Sequence, residues 1–270
     1  NSEENKKYFH IGNASKMTDC FGEKGTGIEK FMKLYASNHT MAKFKAFRNK
    51  EGRFLSNILG SSEAALDPWD DPYISQLTHK NTIDIEALGK EKTVIYVNLP
   101  ETEIEDYALI ANLFYSMCFK HCMRNLGQNK IPVYFFLDEF GNMGKIKYFE
   151  KIAATIRKYN CSISIVLQDK AQLEGIYGKA GAQTIFAGAM SNKLFYGGLD
   201  YDTADYLSKM LGFRTVFDTK FGSYNEKPTV RQSLLSPDEI RMLRDNEAIL
   251  ITANKRPVKF SNSTPYYLNP

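Results

Sequence analysis

At 270 residues the chain can hold one large domain or two small ones, and its 43% hydrophobic content supplies ample core. The 35 Lys and Arg against 31 Asp and Glu leave a formal charge of +4, which tolerates a nucleic-acid partner without requiring one. No apolar run reaches bilayer-spanning length, no signal peptide opens the chain, and cysteines 20, 118, 122 and 161 form no disulfide framework, which favours a reducing compartment.

The chain opens on Asn1 rather than Met, and it is expected to be a piece of a longer protein. GEKGTGIE (Gly22 to Glu29) has the glycine spacing of a phosphate-binding loop. Ile28 and Glu29, however, stand where Lys and Ser/Thr are required, and no strand precedes them. It reads as a flexible glycine-rich loop. From Glu29 to Leu59 apolar residues recur at helical spacing: Phe31, Leu34 and Tyr35, then Phe44 and Phe47, then Phe54, Leu55, Ile58 and Leu59. Lys30, Lys33, Lys43, Lys45, Arg48, Lys50 and Arg53 are interleaved with them. They read as a solvated face, with a nucleic-acid or partner surface as the alternative. The turn-rich LDPWDDPY (Leu66 to Tyr73) breaks the pattern and carries the one tryptophan, Trp69, as a packing anchor. Residues 1–88 are therefore expected to be an all-α segment.

Beyond it, residues 89–270 alternate in texture. TVIYVNL (Thr93 to Leu99) reads as a strand, followed by a helix over about Glu103 to Arg124. Cys118, His121 and Cys122 on that helix supply too few ligands for a metal and read as core. VYFFLDEF (Val133 to Phe140) is a continuous apolar run ending in Asp138 and Glu139, as in a parallel strand buried on both faces. Then come a helix at Tyr148 to Tyr159, the strand SISIVLQ (Ser162 to Gln168) and a helix near Ala182 to Met190. KLFYGG (Lys193 to Gly198) is a strand, Asp202 to Leu211 a helix, and Phe213 to Gln232 a loop or ribbon. AILITA (Ala248 to Ala253) closes the series and is expected to pair with PVKF (Pro257 to Phe260). Such alternation predicts an α/β fold with a mostly parallel sheet and helices on both faces.

Strands of this kind aim their carboxyl ends at the ligand crevice. Two acids placed there match the Walker B pattern, in which the first holds Mg2+ through water and the second orients the water that attacks a γ-phosphate. The alternative is a strand leaving into a solvated acidic turn. Gln168, at the tip of its strand, can sense a γ-phosphate or the attacking water, since a carboxamide donates and accepts at once. It can equally be a terminal Gln bonded to its loop. Arg157 follows on the next helix, either as a guanidinium reaching a neighbouring subunit's nucleotide or as a surface residue beside Lys158.

VYFFLDEFGNMGKI, IVLQDKAQLEGIYG, SNKLFYGG and SLLSPDEIRML, taken in order, resemble the TraG/TraD-type coupling proteins, the ATPases of conjugation and type IV secretion. The likeness runs from about Thr93 to Ala253, and more weakly upstream through Asp71 to Glu101. It implies a RecA-like P-loop NTPase fold with an inserted all-α domain. Carried to this sequence, it makes Asp138 the Mg2+-holding acid, Glu139 the catalytic acid, Gln168 the strand-tip glutamine and Arg157 an arginine finger. ATP and Mg2+ are the implied cofactors. The implied partners are a relaxase–single-stranded DNA complex or protein substrates, the secretion channel, and further copies in a homo-hexamer. The complete protein is expected at the cytoplasmic face of the cell membrane, held by N-terminal helices. These 270 residues are expected to be soluble and, without a Walker A motif, inactive alone. Two other functions compete: a substrate-recognition module without a motor role, and a translocase of the FtsK/HerA type.

Overall fold

The computed structural model describes residues 11–22, 27–50, 52–217 and 229–261. Glu23 to Thr26 of the glycine-rich stretch and residues 218–228 lie outside them. The chain divides into two compact units, residues 1–84 and 85–270.

The first unit is helical: α1 (Ile11–Gly22), α2 (Gly27–Tyr35), α3 (Asn38–Arg48), α4 (Gly52–Leu66) and α5 (Pro72–Thr78). Its helix starts are written locally. Ser37 accepts the Thr40 amide ahead of α3, while Asp71 accepts the Tyr73 and Ile74 amides ahead of Pro72. Ile28, Phe44 and Ile74 are buried, whereas Phe31, Leu34, Tyr35 and Phe54 are exposed. The helical periodicity thus marks real helices but only part of it marks a core. Trp69 sits half-buried on a 3₁₀ turn, Asp67–Trp69.

In the second unit a 3₁₀ turn, Ile85–Ala87, leads towards α6 (Ile104–Cys122). Ile85 and Leu88 pack against this unit's own core, so the last residues read as part of the helical segment lie here. TVIYVNL forms no strand, and Val94 and Tyr96 are 74% and 84% exposed. Its β-branched and aromatic residues satisfy a propensity, but a strand also needs a hydrogen-bonding neighbour, and no described residue supplies one.

β1 (Val133–Leu137) pairs in parallel with β2 (Cys161–Ile165), Val133 opposite Cys161 and Leu137 opposite Ile165. Between them run α7 (Phe149–Thr155) and a 3₁₀ turn, Ile156–Tyr159. After β2 comes α8 (Lys170–Gln183), continuing as a π-helix over Thr184–Ala189. Helix was expected only from Ala182. The three glycines of α8 hide its start in propensity, and Gly178 does break the helical geometry with φ 71°. Leu173, Tyr177 and Ala182 nevertheless bury at helical spacing. The second sheet is antiparallel: β3 (Asn192–Tyr196), β6 (Glu247–Thr252) and β7 (Val258–Ser261), in the order β3-β6-β7. The β6–β7 pairing agrees with the expected hairpin. β4 (Phe213–Phe217) and β5 (Thr229–Ser233) make the ribbon. Among the described strands, then, β1–β2 is the one parallel pair. Helices α9 (Tyr201–Leu211) and α10 (Pro237–Arg241) pack on β3 and β6, with Phe195, Leu207, Ile240 and Ile249 in that core.

The larger core lies under one face of β1–β2. Phe119 of α6 meets Phe135 with ring centroids 4.6 Å apart, and Phe140, Phe149 and Tyr177 continue the aromatic cluster. Cys118 and Cys122 are buried here, with burial raising the Cys118 thiol to about 11. The opposite face differs from expectation. Tyr134 and Phe136 are 63% and 75% exposed, so β1 is covered on one face by the described residues, not two. An unbroken apolar run cannot distinguish the two cases, because Tyr and Phe satisfy either environment.

Candidate nucleotide site

Asp138 and Glu139 follow directly on β1, and Gln168 follows β2. Because strand side chains alternate in direction, Asp138 continues the exposed Tyr134–Phe136 face. Gln168 continues the exposed Ser162, Ser164 and Val166 face of the neighbouring strand. The parallel register sets both residues at the carboxyl end of one sheet, on one side.

The backbone departs from strand geometry at the acids themselves. Val166 donates to the Leu137 carbonyl at 3.0 Å, and a regular parallel ladder would then have its carbonyl accept from Glu139. It accepts from Phe140 instead, at 3.1 Å. Glu139 occupies the left-handed region at φ 46°, ψ 42°, which slips the ladder by one residue. Its amide, released from the ladder, donates to Asp138 Oδ1 at 3.1 Å. Phe140 then plunges into the core, fully buried against Phe149 at 4.6 Å. The kink is held from below by aromatic packing and carries the acids above it. A non-glycine residue in this conformation is costly and collects at functional sites.

The β2 end is tied to the β1 end by a residue that sequence reading missed. Asp169 caps α8 by accepting the Gln172 amide at 2.8 Å. The spacing D-x-x-Q has the form of a capping box, in which Gln172 would reach back to the cap's own amide. Here its Oε1 accepts instead from the Gln168 amide, at 3.0 Å. Its carboxamide also lies against Gly141: a β-carbon on Gly141 would fall 2.6 Å from the carboxamide carbon. The capping spacing was the available signal; the contact with Gly141 had none.

Arg157 is not brought to these groups. It is exposed on the 3₁₀ turn that precedes β2, at the opposite end of the strand from Gln168. Five strand residues intervene, a separation of at least roughly 13 Å at about 3.3 Å each. It makes no ion pair with any described residue, and neither do Asp138 and Glu139.

The donor set suits a hard cation held through water, since exposed carboxylate oxygens are the ligands Mg2+ takes. The sequence contains no G-x-x-x-x-G-K-[ST], so the amide cradle for phosphates is not among these residues. What fits is the metal-facing and water-facing side of a nucleotide site. There Asp138, exposed at the end of β1, could hold Mg2+ through water.

The family model for type IV secretory system conjugative DNA transfer matches residues 26–269. The chain belongs to that family. Its curated relatives include Protein VirD4 of Agrobacterium fabrum, 25% identical over 258 residues. That match takes in 89% of this chain and 38% of the relative. A probable conjugal transfer protein TraG of Sinorhizobium fredii is 26% identical over 197 residues, 70% of this chain and 31% of that protein. The chain thus spans well under half the length of these relatives. Among solved structures, the bacterial conjugative coupling protein TrwBdeltaN70 superposes with a TM-score of 0.69 at 18% identity. It covers 98% of this chain and 66% of its own. TrwB in complex with ADP and Mg2+ gives a TM-score of 0.67 at 17% identity, over 98% of this chain and 65% of its own. The coupling-protein resemblance and the RecA-like fold class both stand. No described helix of this coupling-protein chain is long and apolar enough to cross a membrane.

Proposed function

We propose that this chain carries the Walker B side of the ATP site of a conjugative or type IV secretion motor. Asp138 holds Mg2+ through water, Glu139 orients the attacking water, and Gln168 reads the γ-phosphate. The observation that carries this is the placement of Asp138 and Gln168 on one side of the sheet, at the carboxyl ends of parallel neighbours, with a strained Glu139 between β1 and the core. In the complete protein the phosphate cradle comes from outside these residues, so the chain alone binds ATP weakly and turns over none. Arg157, remote from its own acids, serves the nucleotide of an adjacent subunit in a homo-hexamer. The assembled motor sits at the cytoplasmic face of the membrane, anchored by N-terminal helices, and feeds relaxase–DNA or protein substrates to the secretion channel. Exposed Phe31, Leu34 and Tyr35 beside exposed Lys30 and Lys33 favour a recognition role for the helical unit alongside the motor.

Glu139→Gln in the complete protein tests the assignment. ATP turnover is expected to fall about a hundredfold or more, the range for loss of a positioned acid or base. Turnover within twofold of the unaltered protein, with the protein folded, would refute it.

A further inference from the structure

We propose that Gln172 is a positioning residue that couples the two strand ends of the site, a role that rests on reading Asp138 and Glu139 as its acids. The bridge has two anchors. On the β2 side, Gln172 Oε1 accepts the Gln168 amide at 3.0 Å, fixing the backbone from which the Gln168 carboxamide extends. On the β1 side, the Gln172 carboxamide fills the space above Gly141, two residues beyond Glu139, where a β-carbon would come within 2.6 Å of it. Asp169 holds the root of Gln172 by accepting its amide at 2.8 Å. Helix α8 thereby delivers one side chain to both loops. A shift of the Gly141 turn, which carries Glu139, is passed to Gln168 through that carboxamide, and the reverse holds equally. The glutamine that reads the γ-phosphate and the acid that aims the water therefore move together.

The packing makes a specific demand on Gly141. An added methyl there meets the far end of a flexible side chain, not backbone. Gly141→Ala should therefore swing Gln172 off the Gln168 amide rather than unfold the turn. In a Gln172→Ala background that obstruction is gone, and the same methyl should be harmless.

The test is a double-mutant cycle in the complete coupling protein, with kcat and KM for ATP read separately. Gln172→Ala is expected to lower kcat about tenfold, within the range for small misplacements of reacting groups, while KM stays within twofold. Gly141→Ala should do the same. The double variant should be no slower than Gln172→Ala alone, and melting temperatures of all three should stay close to the unaltered protein. A kcat unchanged by Gln172→Ala would overturn the proposal, and so would additive losses in the double variant. If Gly141→Ala proves unstable, the kcat of Gln172→Ala alone still decides. Glu139→Gln run in parallel separates the two levels: if it spares turnover, the acid assignment fails. If it abolishes turnover while Gln172→Ala does nothing, only the coupling fails.

Discussion

Replacing Asn129 should reveal how the amino-terminal side of the β1–β2 pair is held. This side chain is buried, and its amide nitrogen donates to the Cys122 carbonyl at 2.8 Å and the Tyr159 carbonyl at 2.6 Å, with the Cys161 sulfur at 3.4 Å. It therefore ties the last residue of α6, the 3₁₀ turn before β2 and the first residue of β2. The Cys122 carbonyl belongs to the orphan acceptors at a helix end. In Asn129→Ala it loses this donor. The Tyr159 carbonyl keeps the Cys161 thiol as a weak donor at 3.4 Å. One buried acceptor left unpaired and one weakened bond together amount to about 2–4 kcal/mol. For a unit of this size, that is a fall in melting temperature of roughly 4–16 °C. Asn129→Asp keeps the shape and removes both donors, so at neutral pH it should lose at least as much. Thermal unfolding followed by circular dichroism measures both. A fall of less than about 1 °C for Asn129→Ala would show that the contacts do not hold the strand ends, and the reasoning would be wrong.

Two further outcomes follow from local geometry. Glu139→Gly removes a left-handed non-glycine residue whose conformation costs about 1–2 kcal/mol, offset in part by the unfolded-state freedom of glycine. Its melting temperature should hold or rise slightly while ATP turnover of the complete protein falls as in Glu139→Gln; a drop beyond about 3 °C would mean that the Glu139 side chain supports the fold. The second concerns the capping box at α10, where the Ser236 amide and then its hydroxyl hold the Glu239 carboxyl below its ordinary value. A lowered folded-state value means stability present above the ordinary carboxylate range and lost as pH falls through the lowered value. The melting-temperature gap between the unaltered chain and Glu239→Ala should therefore be open at neutral pH and close on acidification. A gap constant with pH would refute the cap's ionic contribution.

The sequence alone placed Asp138 and Glu139 at the end of one strand and Gln168 just beyond another, and located most helices and strands, because each has a local cause. Asp138 and Glu139 end an apolar run, apolar residues at helical spacing mark α2 to α4, and a short polar stretch separates β6 from β7. Where the cause lies between segments, the sequence misled or was silent. TVIYVNL has strand composition but finds no neighbour to bond to among the described residues. VYFFLDEF has an apolar run that does not say how many of its faces are covered. Arg157 is eleven residues from Gln168 in the chain, and only the direction of β2 sets them at opposite ends of the sheet. Gln172 carried a capping signal, yet only the approach of the Gly141 turn to α8 turned that cap into a bridge. Composition and spacing record what each residue prefers; pairing, burial and reach depend on which distant segment arrives beside it. Tertiary packing alone decides that.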